Sequence, residues 1–287
     1  MKTTRVSNTN RRTSRLLGHS VALTAVMGSV SLAGAAALID GNSILVVDEN
    51  SSSGANVWTV DSQDQLLTQW FWYRVGDVGA GTQEYSIDTL SAPSVTSSAN
   101  SATIAYSGSL FDVSVTYTLA GGVAGSGEAT LNEDILIVNT SGAALDLQFF
   151  QYSDFDLGGT KDDDNVILHP LSSPFELAYQ WDHTAGLSEG IVTVNPFASR
   201  GDTGLAPTIY NSLQDGAITD LSSSISGALG PDDVEFAFQW DLAIDSGDAV
   251  NISKVKSLTL TPIPEPTTAA LSLLGLALLA IRRNRRS

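Results

Sequence analysis

Phe111, Val113, Val115, Tyr117 and Leu119 are apolar at every second position, and Asp112, Ser114, Thr116 and Thr118 between them are polar. Phe236, Phe238, Trp240, Leu242 and Ile244 repeat the spacing further along. A repeat of two belongs to an extended chain with one buried face, because successive side chains of a strand point to opposite sides. A helix needs a period near 3.6. No stretch between Leu38 and Thr261 keeps that period over a dozen residues. Further strands are expected near Ile44–Asp48, Gln69–Val75, Thr103–Tyr106, Ala129–Asn139, Leu145–Asp154, Val166–His169, Phe175–Asp182, Ile191–Val194 and Val250–Leu260. Gly- and Ser-rich turn clusters separate them, at Gly76–Gly81, Ser91–Ser101, Gly121–Gly127, Gly158-Gly159, Gly201–Gly204 and Ser222–Pro231. Many strands at short spacing, joined by such turns, predict an all-β fold, an antiparallel β-sandwich. Ser91–Ser101 has the composition of a linker or of a hairpin loop. One large super-sandwich is the favoured reading over two small ones.

Charge separates this body from the two ends. The span Leu38–Pro262 holds 30 of the 31 acidic residues and five of the 14 basic ones, Arg74, Lys161, Arg200, Lys254 and Lys256, for a net charge of −25. Such a surface repels nucleic acid and anionic lipid and attracts cations, above all Ca²⁺ outside the cell. The chain has no cysteine, so neither disulfides nor thiolates contribute, and stability must come from a large apolar core.

The N-terminal 37 residues read as a signal peptide. Lys2, Arg5, Arg11, Arg12 and Arg15 precede an apolar region from Leu16 to Leu32. Ala33-Gly34-Ala35-Ala36-Ala37 then offers small residues for a signal peptidase, with cleavage expected after Ala35 or Ala37. Ser14 stands where a twin-arginine signal carries a bulky apolar residue, which favours ordinary export in the unfolded state.

The tail, residues 262–287, has three parts. Pro264-Glu265-Pro266 is a stiff break that stops a strand from continuing. Thr267–Ile281 is an uncharged run rich in Leu and Ala, and Arg282, Arg283, Arg285 and Arg286 close it. Fifteen helical residues rise roughly 22 Å, short of the ~30 Å hydrocarbon core. Long arginine side chains can reach the headgroups and make up the difference. A basic cluster stays on the cytoplasmic side, which puts the body on the other. A C-terminal transmembrane helix over 267–281 is therefore expected, with the body, 38–261, beyond the inner membrane.

Pro-Glu-Pro, a short apolar helix and a terminal arginine cluster together resemble the PEP-CTERM sorting signal. The family usually reads Val-Pro-Glu-Pro, and Ile263 stands here in the place of Val. The resemblance covers about 25 residues. It implies export in a Gram-negative bacterium that makes exopolysaccharide, membrane anchorage before processing, and exosortase, a membrane transpeptidase, as a partner. Pro264, Glu265 and Pro266 would be the processing determinants. It implies nothing about the activity of the body.

Two features of the body carry chemistry. Asp154, Asp156, Asp162, Asp163 and Asp164 crowd the junction of two expected strands, around Gly158-Gly159 and Lys161. Clustered carboxylates with backbone carbonyls suit Ca²⁺, though the spacing is not that of an EF-hand. The second feature is a recurring aromatic-Gln-aromatic triplet: Phe150-Gln151-Tyr152, Tyr179-Gln180-Trp181 and Phe238-Gln239-Trp240. In a strand the two rings share one side and Gln takes the other. The plain expectation is rings in the core and Gln in solvent. The functional alternative is a sugar-stacking surface, with Tyr179, Trp181, Phe238 and Trp240 as ligand contacts.

Signals for an enzyme are thin. His169 and His183 are the body's only histidines, and neither a His-Glu-x-x-His nor a Gly-x-Ser-x-Gly sequence is present. Thirty acids guarantee close carboxylate pairs somewhere, so such pairs do not discriminate. Three readings follow: a structural or adhesive cell-surface protein of an exopolysaccharide matrix, which leads; a carbohydrate-binding module; and a secreted polysaccharide-active enzyme. No catalytic residue is assigned.

Overall fold

The computed structural model describes residues 34–183 and 189–260. The leader up to residue 33 lies outside the described residues. So does the tail from residue 261, with its Pro-Glu-Pro, apolar run and arginines. Among the described residues no helix is long and apolar enough to cross a membrane.

The chain builds two nine-stranded sheets and passes repeatedly between them. Strands β1 (Ala36–Asp40), β2 (Ser43–Asp48), β3 (Gly54–Val60), β4 (Gln63–Asp64), β5 (Thr68–Val75) and β6 (Tyr85–Ser86) enter the first sheet. Strands β7 (Ser94–Ser97), β8 (Ser101–Ser107), β9 (Phe111–Gly121) and β10 (Glu128–Asn139) form a meander in the second. The chain returns to the first sheet with β11 (Leu145–Asp154). It adds β12 (Asp164–His169), β13 (Phe175–Asp182) and β14 (Glu189–Ala198) to the second, then β15 (Arg200–Leu205) to the first. A five-residue helix, α1 (Thr208–Ser212), precedes β16 (Leu229–Asp232), β17 (Val234–Ile244) and β18 (Ala249–Thr259). The strand order is β1-β2-β3-β5-β11-β17-β15 in the first sheet, with β4 on β3 and β6 on β5. In the second it is β16-β12-β13-β14-β18-β10-β9-β8-β7. All pairings are antiparallel except a short parallel contact of β3 with β5.

The alternation read in the sequence is the packing rule of the second sheet. Phe111, Val113, Val115, Tyr117 and Leu119 of β9 are all buried between the sheets, and the polar residues between them are not. Across the gap Phe71 stacks on Phe149 at 5.8 Å, and Phe238 and Trp240 of β17 complete that layer. The central strands of the first sheet break the rule. In β11 and β17 most residues are buried on both faces. The outer face is roofed by α1 and the residues after it, with Tyr210 against Trp72 and Tyr152, and Leu213 and Leu221 buried.

Three local expectations change. Ser94–Ser97 is an exposed edge strand paired with β8, where the sequence offered a loop or linker. Gly201–Gly204, expected as a turn, lies within β15. Glycine there reflects a close approach, since a Cβ on Gly201 would sit 2.6 Å from Cδ1 of Leu168. Strand β1 opens at Ala36, so the sheet includes Ala36 and Ala37, two residues read above as leader.

Three of the body's five cations, Arg74, Lys254 and Lys256, are buried. On the described surface Lys161 and Arg200 stand alone against the acidic residues, and Arg200 already pairs with Asp241 at 3.2 Å.

Candidate functional site

One end of the sandwich gathers acids from five strands and the loops between them. Strand β11 ends at Asp154, which the register places between Thr68 of β5 and Glu235 of β17. The chain leaves the sheet through Phe155, Asp156 and Leu157. Phe155 stacks on Phe236 at 6.2 Å and Leu157 is fully buried, so two apolar anchors fix the loop that carries Asp156. The β16–β17 turn arrives from the other side with Asp232 and Asp233. Asp232 lies opposite Asp164 in the ladder. Gly230, at φ +103°, permits that approach, because a Cβ would lie 2.2 Å from the carbonyl oxygen of Asp164.

The five aspartates expected to act together are divided. Asp154 and Asp156 meet Asp233, with one carboxylate oxygen from each within 4.8 Å of the others. Asp163 and Asp164 form an equally close group with Asp182. Asp162 joins neither group; it is exposed and pairs with Lys161 at 3.2 Å. Lys161 also reaches Oδ2 of Asp233 at 3.3 Å. An open depression of about 450 Å³, lined by Gly159–Asp163, lies over this end.

Hydrogen bonding satisfies the acids only in part. The Tyr152 hydroxyl lies 2.7 Å from Oε2 of Glu235 and 3.1 Å from Oδ2 of Asp154. Its single proton serves one of them at a time. Burial pushes Asp154 up to about 8, and the charges of Asp156 and Asp233 add to the effect. Burial, then Asp233, pushes Asp156 up to about 6, with Lys161 opposing. Glu235 is also raised by burial, although the backbone N–H of Ile209 donates to it. Asp164 is pushed up to about 7 by burial, against the donors Leu157 N–H at 3.0 Å and Gln180 Nε2 at 2.7 Å.

The three aromatic-Gln-aromatic triplets face different ways. Phe238 and Trp240 point between the sheets and are buried there, so they offer no ligand surface. Gln239 faces the roof, where its Oε1 accepts from the backbone N–H of Leu221 at 2.7 Å. In β11 the order reverses: Phe150 and Tyr152 lie under the roof and Gln151 lies in the core. In β13 the rings turn outward, and Gln180 and Asp182 are the buried residues. Tyr179 and Trp181 are half-buried on the outer face of the second sheet and stack on each other, centroids 5.2 Å apart and planes 24° from parallel. Trp181 lies opposite Asn165, and the next residue, Asp182, lies opposite Asp164. The aromatic pair and the acid end therefore share one end of the β12–β13 hairpin. His183 follows on an exposed turn, its N–H donating to the Asp163 carbonyl at 2.7 Å, and His169 is exposed at the end of β12.

Sequence reading missed Tyr152, Asp233 and Glu235 as members of the acid end. The signal available was weak: Asp233 and Glu235 share a face at period two, directly after the Pro231 turn. Only the β11–β17 register shows that this face meets Asp154.

Fold and sorting signal together define an exported two-sheet β-sandwich. Residues 262–286 match the PEP-CTERM protein-sorting motif, which implies export, membrane anchorage before processing, and processing by exosortase. A search of curated proteins finds no match. Among solved structures, a candidate aldose 1-epimerase from Escherichia coli K12 is similar at 12% identity and TM-score 0.54, over 79% of this chain and 99% of that one. A galactose mutarotase-like protein from Lactobacillus casei is similar at 9% identity and TM-score 0.53, over 78% of this chain and 100% of that one. A bacterial glucoamylase complexed with acarbose is similar at 9% identity and TM-score 0.53, over 82% of this chain and 32% of that one. At these identities the likeness is one of fold.

Proposed function

We propose that the protein is a structural or adhesive component of an extracellular polysaccharide matrix, and that its sandwich holds the polysaccharide on the outer face at Tyr179 and Trp181. The observation that carries this reading is the outward turn of β13, which leaves two stacked rings half-open to solvent. A ring pair of this kind covers the apolar face of a sugar at little conformational cost. The strongly acidic surface selects against acidic glycans, so the expected ligand is neutral. The similar structures, an aldose 1-epimerase candidate and a glucoamylase holding acarbose, are compatible with a sugar partner.

The enzyme reading is weaker. The raised pair Asp154 and Glu235 is buried and joined through Tyr152, rather than set apart across a cleft. Export supplies the setting: exosortase removes the tail and leaves the body at the cell surface. Affinity electrophoresis through gels containing neutral polysaccharides tests the binding. Retardation that drops at least tenfold in Trp181→Ala, with the melting temperature held, supports the reading. Equal migration with and without polysaccharide across a panel that includes the host's own matrix refutes it.

A further inference from the structure

We propose that Asp154, Asp156 and Asp233 form a calcium site at the acid end of the sandwich. One oxygen of each lies within 4.8 Å of the others, and the set draws on the end of β11, the loop after it and the β16–β17 turn. The second, independent observation is what the carboxylates lack. Oδ1 of Asp154, Oδ1 of Asp156 and Oδ1 of Asp233 are each buried without a hydrogen-bond partner among the described residues. Asp154 is 2% exposed, so water does not reach its orphaned oxygen. Its other oxygen is engaged by Tyr152, and the other oxygen of Asp233 by Lys161, so the free oxygens are the ones left for a ligand. Buried carboxylates without partners are retained where they pair or bind a metal.

The donors identify the ion. Three carboxylates with no nitrogen or sulfur are hard ligands, and Ca²⁺ takes roughly six to eight oxygens at flexible geometry. Three carboxylates supply three to six of these, depending on how many bind through both oxygens, and water completes the shell. Mg²⁺ demands a near-octahedral shell and keeps its water, which a buried group such as Asp154 suits poorly. Among the described residues Lys161, 59% exposed on a flexible stem, is the one cation already at the cluster. The ion would tie the β11 loop to the β16–β17 turn, and so fix the same end that presents Trp181.

The test uses the full-length chain in detergent, melted in chelator and in about 5 mM CaCl₂, with calorimetry for stoichiometry. Calcium is expected to bind one ion per chain at this cluster and to raise the melting temperature of the wild type by a few degrees. Asp156→Asn should melt at or above the wild type in chelator, because one of three crowded charges is gone, and below it in calcium. Asp233→Asn should lose the calcium shift in the same way. Asp182→Asn should keep it, since Asp182 belongs to the neighbouring group. Absence of both heat and shift in the wild type overturns the proposal. So does a shift that survives Asp156→Asn with Asp233→Asn, or one that is lost only in Asp182→Asn.

Discussion

Glu133 and Lys254 stand directly opposite each other in the β10–β18 ladder, and their charged ends meet at 2.9 Å between the sheets with neither side chain exposed. Lys256, two residues on, donates to the other oxygen of Glu133 at 2.6 Å and also to Gln69. The ring of Phe71 lies 5.6 Å from the Lys254 ammonium, and Phe155 lies 5.9 Å from that of Lys256. Three charges in an apolar gap cohere only as a set. Glu133→Ala leaves two ammonium groups without an anion and should destabilise the body by about 3–5 kcal/mol. Replacing all three together by Leu or Met should cost far less, or stabilise it. Urea unfolding of both variants checks the pair of outcomes, and equal losses in the two would contradict the account.

The same cluster sets a pH dependence. Burial pushes Lys254 down to about 7 from its ordinary 10.5, although Glu133 pulls it up. Burial also lowers Lys256. Burial raises Glu133, but the charges of Lys254 and Lys256 outweigh this and leave it lowered. Between about pH 7 and 10.5 the unfolded chain therefore binds a proton at Lys254 that the folded chain lacks. Stability from this group rises with pH across that window. The difference in unfolding free energy between wild type and Lys254→Met should climb in favour of the wild type from pH 7 to 10. A flat or falling difference would contradict the assignment.

The N-terminus carries its own prediction. The backbone N–H of Ala36 donates to Oε2 of Glu49 at 3.0 Å, and Glu49 is nearly buried. Cleavage after Ala35 turns that donor into an ammonium facing a carboxylate. Cleavage after Ala37 removes two residues that pair with Val47 and Val46. Mass spectrometry of the exported protein should find Ala36 first, and Glu49→Gln should then cost about 1.5–3 kcal/mol. A mature chain starting at Leu38 would contradict this.

The sheets were legible because their buried faces repeat every second residue. Strands β9, β11 and β13 follow their expected ranges closely. The roof over the first sheet was not legible. Residues 206–222 show no periodicity, yet Arg74 binds there to Asp220 and the Thr219 carbonyl while holding Glu84. Both faces of β11 and β17 are buried as a result: Gln239 is internal under the roof, and Gln151 is internal on the opposite side, between the sheets. Three near-identical triplets then differ in orientation, since alternation fixes which residues share a side but not which side faces the core. The acid end was half legible. Asp154, Asp156, Asp163 and Asp164 are close in sequence, whereas Asp182, Asp233 and Glu235 join them only through strand pairing.

Four of the five tryptophans, Trp58, Trp70, Trp72 and Trp240, are at most 1% exposed, and Trp181 is half-buried on the outer face. Acrylamide quenching of tryptophan fluorescence therefore reads the proposed polysaccharide contact directly. A quencher-accessible component should be present in the wild type, absent in Trp181→Phe, and shielded when a neutral polysaccharide that retards the protein is added. Unchanged quenching at a polysaccharide concentration that saturates binding would place the contact elsewhere and contradict the account.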